Sequence, residues 1–96
     1  MTRNSLNSST LMHTKKALIV YGREECHLCQ TMILALQDLQ KQVSFDFQVI
    51  DIDADPELVA LYGEKIPVLV SAANHQEICH YFLDFAALDD YLDKFR

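Results

Sequence analysis

The stretch ALIVYGREECHLCQTM, residues 17–32, decides how the rest of the chain is read. Ala17 to Tyr21 are continuously apolar, the pattern of a strand buried on both faces. Gly22 to Glu25 break the run. Leu28, Met32, Ala35, Leu36 and Leu39 then recur at helical spacing, which predicts a helix over about 27–41. Cys26 therefore falls on a strand-to-helix loop, at the helix start, and Cys29 lies inside the first turn. Such loops are favoured places for chemistry in α/β sheets.

Downstream, Phe45, Phe47 and Val49 alternate with Asp46, Gln48 and Ile50, which predicts a second strand. Asp55-Pro56 is a helix start, an acceptor at the cap followed by proline at the first helical position. Gly63 is the natural stop of that short helix. Pro67 to Val70 read as a third strand, Ala72 to Gln76 as a turn, and Glu77 to Phe82 as a fourth strand. Asp84 caps a last helix whose expected inner face is Phe85, Leu88, Leu92 and Phe95. The order is β-α-β-α-β-β-α. The long first crossover suits a parallel, right-handed pair, and the short link between strands three and four makes a hairpin. The expected fold is α/β, a four-stranded mixed sheet flanked by helices.

The chain of 96 residues is one domain's worth, half of it hydrophobic, enough for one modest core without metal or disulfide staples. Residues 1–14 are rich in Ser, Asn and Thr without apolar period and read as a flexible arm; residues 15–96 form the domain. The net charge of -6 comes with no basic cluster beyond Lys15-Lys16, so a nucleic-acid partner is not expected. No apolar run approaches the ~20 residues of a membrane span, and no signal-peptide centre is visible. Three cysteines, an odd number, do not make a secreted disulfide framework. The expected setting is a reducing cytoplasm, where a C-x-x-C pair is redox-active or metal-binding rather than structural.

Cysteines at i and i+3 share a helix face, so their sulfurs can approach. The helix N-terminus offers unpaired N–H groups and partial positive charge, which stabilise a thiolate on Cys26. Cys26 is thus the expected nucleophile. Cys29 is the expected buried thiol that resolves a mixed disulfide. A second reading is a metal or iron–sulfur carrier using Cys26, Cys29 and either Cys79 or glutathione. A third is a non-catalytic binding module. A zinc knuckle would want a second pair of ligands, and covalent haem would want His where Gln30 stands. Asp46, Asp51, Asp53 and Asp55 lack the central glycine of a calcium loop. Cys79 is expected to pack as a small hydrophobe, the alternatives being a regulatory disulfide or a third metal ligand with His80.

YGREECHLC, followed by DIDADPELVALYGEKIPVLV, resembles the thioredoxin-fold superfamily, and within it small bacterial glutaredoxin-like proteins. The resemblance covers about residues 16–96. It implies a protein or glutathione disulfide oxidoreductase in which Cys26 attacks and Cys29 resolves. It implies that Pro67 is cis and that the backbone of Ile66 is exposed to an extended thiol substrate. No bound cofactor is implied; glutathione or a thioredoxin-like system would act as reductant. The expected partner is a disulfide-containing protein or a low-molecular-weight thiol, and the expected state is a monomer. Further substrate-binding candidates are His27, Leu28, Arg23, Lys65 and Asp84. His27 and the two cations would add positive potential near Cys26, Leu28 would form a hydrophobic rim, and Asp84 would meet the amino end of glutathione.

Several positions depart from the relatives. His27-Leu28 replace the usual Pro and Tyr between the cysteines, and Lys65-Ile66 replace Thr-Val before the proline. His80-Tyr81 stand where glutaredoxins have two glycines that let a ligand approach the backbone. Val20 stands where thioredoxins have a buried aspartate.

Overall fold

The structure, a computed structural model, describes residues 16–94. The residue 1–14 arm lies outside them. The elements are β1 (Ala17–Gly22), α1 (His27–Leu39), β2 (Asp46–Asp51), a 3-10 turn (Ile52–Ala54), α2 (Pro56–Tyr62), β3 (Val68–Ser71), β4 (Glu77–His80) and α3 (Phe85–Asp93). The sheet order is β2-β1-β3-β4, with β1/β2 parallel and the other two pairs antiparallel. This is the expected mixed α/β sheet. Among the described residues, no helix is long and apolar enough to cross a membrane.

The apolar runs become the two central strands because side chains alternate between faces. Leu18 and Val20 of β1 join Leu69 of β3, Met32 and Leu36 of α1, and Leu88, Tyr91 and Leu92 of α3. Ile19, Tyr21, Val68 and Val70 point to the other face, against Ile52, Leu58, Val59 and Tyr62. Two helices thus cover one face and α2 the other, and every residue of β3 is buried. Tyr21 and Tyr62 stack there with ring centroids 4.5 Å apart.

The helix starts follow their caps. Asp55 accepts from the Glu57 N–H (2.9 Å) and Asp84 from the Ala87 N–H (3.0 Å). Gly63 ends α2, its N–H on the Val59 carbonyl (2.8 Å).

The structure corrects the inner face of the last helix. Phe85 is 57% exposed, and Tyr91 is buried instead. Side chains lean toward a helix's N-terminus, so a residue at the first position points back past the helix end. Tyr91 is accommodated because its hydroxyl shares a 2.7 Å hydrogen bond with buried Ser71. Phe95 lies outside the described residues. The fourth strand ends at His80, not Phe82, because Tyr81 adopts φ 65 and leaves the extended region. The first helix ends at Leu39, and Phe45 is buried just ahead of β2 rather than within it.

Candidate active site

β1 delivers the chain to the β1–α1 loop at one end of the sheet, and the loop turns directly into α1. Cys26 is the N-cap of α1, in extended backbone (φ -88, ψ 113). Its Sγ accepts the N–H of Cys29 at 3.3 Å, the role a serine or aspartate plays at other helix starts. Its own N–H is held by the Arg23 carbonyl (3.2 Å). Cys26 is half-buried, whereas Cys29 is 1% exposed, and both are thiols in this structure.

Burial, reinforced by a hydrogen bond with the Cys26 sulfur, pushes the Cys29 thiol up to about 11. The Arg23 backbone and guanidinium oppose that rise without cancelling it. The pair is therefore asymmetric: one accessible sulfur at a helix N-terminus, one covered thiol that holds its proton.

Gly22 makes room for Cys29. A Cβ at Gly22 would stand 2.7 Å from Cys29 Sγ, closer than real Cβ contacts come. In the sequence Gly22 marks only the end of an apolar run. Its position on the central strand, beside the helix that carries the cysteines, was the available signal.

The remaining candidates fall in three places. His27 and Leu28 occupy the first turn of α1 and are exposed, Leu28 by 37%. Arg23 lies on the same loop, but its Nε is paired with Asp53 at 2.9 Å, so its charge is shared with a carboxylate. Lys65, Ile66 and Pro67 form the entry to β3. The Ile66–Pro67 peptide is cis, as the resemblance implies, and Pro67 is buried. The backbone of Ile66 makes no hydrogen bond among the described residues. Lys65 is exposed and has no ion pair among them. Asp84 caps α3, and its neighbour Cys79 sits in the core with its thiol pushed up by burial. Among the described residues, no group of three or more His, Cys, Asp or Glu side chains is placed to hold a metal.

Tyr81 has a part that sequence reasoning missed. At φ 65 it holds the left-handed backbone that favours glycine, at a position where glutaredoxins carry one. Its N–H donates to the Pro67 carbonyl (2.8 Å) and its hydroxyl to the Glu64 carbonyl (2.8 Å). Both bonds tie the β4–α3 loop to the segment carrying the cis peptide.

The glutaredoxin-like domain (DUF836) family model matches residues 17–93. Protein Ne2328 from Nitrosomonas europaea, known from a solution structure, is 47% identical, with 78% of this chain and 88% of that one covered at a TM-score of 0.72. The X-ray structure of protein XcR50 from X. campestris is 28% identical, covering 80% of this chain and 96% of that one at a TM-score of 0.60. Thioredoxin 1 from Thermosipho africanus, 17% identical, shares the fold over 82% of this chain and 92% of its own, with a TM-score of 0.57. No curated protein matches. With the family model spanning β1 through α3 and the cysteine pair at the head of α1, the chain belongs to the glutaredoxin-like family of thioredoxin-fold domains.

Proposed function

We propose that the protein is a thiol–disulfide oxidoreductase that works by a dithiol cycle on Cys26 and Cys29. The observation that carries this reading is the asymmetry of the pair: Cys26 Sγ accepts a helix N-terminal N–H, while Cys29 is buried directly behind it. The N–H bond and the helix dipole favour negative charge on the outer sulfur.

In the cycle, the Cys26 thiolate attacks one sulfur of a substrate disulfide. A Cys26–substrate disulfide forms, and the other substrate sulfur leaves as a thiolate. Cys29 loses its proton and attacks Cys26 Sγ. The substrate's second sulfur leaves, the Cys26–Cys29 disulfide forms, and two electrons have passed to the substrate. Two equivalents of an external thiol, oxidised to their own disulfide by way of a mixed disulfide, return the pair to the reduced state.

The proposed substrate is a disulfide-containing protein or a low-molecular-weight disulfide, with glutathione as the reducing thiol and no resident cofactor. The backbone of Ile66, without an internal partner, is suited to pair with an extended segment on either side of the substrate sulfur. Leu28 and His27 would border that segment, with Lys65 and Arg23 supplying positive potential. Asp84 would meet the ligand at the start of α3. The proposed setting is a reducing bacterial cytoplasm, with the chain acting as a monomer and binding neither nucleic acid nor membrane.

The test is reduction of a disulfide-bridged reporter peptide with glutathione as reductant. Cys26→Ser should abolish transfer, and Cys29→Ser should accumulate a mixed disulfide on Cys26. Full activity in Cys26→Ser would overturn the mechanism.

A further inference from the structure

The dithiol cycle requires Cys29 to lose a proton in a covered site, and β1 offers no acid to take it. Gly22 is in parallel register with Asp51 of β2. Register partners on adjacent strands direct their side chains to the same face. The pairs Leu18 with Phe47 and Val20 with Val49 continue the same row; Leu18 and Val20 lie in the core beneath α1 and α3, and half-buried Phe47 packs against it. The Asp51 side chain therefore leaves the sheet on the α1 face, one strand over from the gap at Gly22 that Cys29 Sγ fills. A cavity of about 270 Å³ opens at this point, and Gly22, Cys29, Ile33, Val49, Glu24 and Asp51 are among its walls. Its volume holds several waters.

We propose that Asp51 is the proton acceptor for Cys29, reached through water in this cavity. The inference rests on the dithiol reading. In the Cys26–substrate disulfide, the Cys29 S–H bond breaks and its proton passes through water to the Asp51 carboxylate. The sulfur's electron pair forms the bond to Cys26 Sγ, the Cys26–substrate bond breaks, and its electrons leave on the substrate thiolate. Asp51 then returns its proton to solvent or to the departing thiolate. Transfer from a thiol to a carboxylate is uphill, but attack on Cys26 consumes the Cys29 thiolate as it forms.

Asp51 is poised for this by its neighbours. One oxygen, Oδ1, accepts the Asp53 N–H at 2.9 Å, which fixes the carboxyl at the head of the 3-10 turn. Asp53 in turn holds Arg23. The charged and titratable groups around the Cys29 site are the Cys26 thiol at the head of α1, Arg23 and Glu24 on the loop, and Asp51 on β2. Glu24 belongs to the β1–α1 loop, where its carbonyl accepts from the Gln30 side chain (2.8 Å), whereas Asp51 is held beside Gly22 by the sheet register.

The experiment uses 5,5′-dithiobis(2-nitrobenzoate) and the reduced full chain. Attack by Cys26 releases one coloured thiolate, and attack by Cys29 on the resulting mixed disulfide releases a second. In Asp51→Asn, which keeps an oxygen for the Asp53 N–H, the rate of the second phase relative to the first should fall at least tenfold near pH 7. The deficit should close as pH rises toward the ionisation of Cys29 itself. Asp51→Glu should recover part of the rate. A second phase that is unchanged or faster in Asp51→Asn, with an unaltered pH profile, overturns the assignment. Absence of any second phase in the unsubstituted chain would instead overturn the dithiol cycle on which it rests.

Discussion

At the scale of single residues, the site is set by what each side chain excludes. Gly22 has no Cβ, and Cys29 occupies that space. Gly22→Ala must move the sulfur or the strand, and overpacking of this kind costs about 1–3 kcal/mol. A lowered thermal midpoint together with faster alkylation of Cys29 is the expected result. The buried thiol also links stability to pH. Cys29 is raised from 9.0 to about 11 in the folded chain, so the fold binds that proton more tightly than the unfolded chain does. Its contribution is complete below about pH 9 and is lost as pH rises through about 11. Urea midpoints measured at pH 8 and 10.5 should fall more for the unsubstituted chain than for Cys29→Ala. The C-x-x-C spacing made the cysteines legible in the sequence. The Gly22 contact was not, because it joins residues that only the packing of α1 on β1 brings together.

At the scale of elements, caps and strand patterns were read well, and faces less so. Asp55-Pro56 and Asp84 start their helices where expected. Asp84→Ala removes the acceptor for the Ala87 N–H and should cost about 1 kcal/mol, measurable by chemical denaturation. Periodicity alone placed Phe85 inside, because it counts residues per turn and ignores where the helix begins. Tyr91 carries a polar hydroxyl that needs a partner when buried. Its burial depends on Ser71, which is 20 residues away in the chain and therefore invisible to local patterns. Tyr91→Phe should cost about 1 kcal/mol in the same assay, since Ser71 Oγ loses that bond in a buried setting. Tyr81 is the comparable case for function: its backbone conformation belongs to glycine, yet its hydroxyl binds the Glu64 carbonyl. Nothing in the sequence announces a left-handed tyrosine.

At the scale of the molecule, the sheet places the cysteine pair and the cis peptide at the same end. β1 and β3 are antiparallel neighbours, so the end of β1, where the cysteines follow, lies beside the start of β3, where the cis peptide precedes. The element order alone does not give this juxtaposition, which follows from the antiparallel pairing of β3 with β1. The β1/β2 register was beyond sequence reading, and with it the placement of Asp51 beside Gly22. A shift of one residue would send Asp51 to the opposite face.

The proposed cycle requires Cys26 and Cys29 to interconvert between dithiol and disulfide. The most direct measurement equilibrates the full chain in graded glutathione redox buffers, traps free thiols by alkylation and reads intact mass. Reversible loss of two alkylations, mapped to Cys26 and Cys29 and described by one two-electron potential, is the expected result. A pair that stays fully alkylated across the series, or that carries only glutathione adducts, would contradict it.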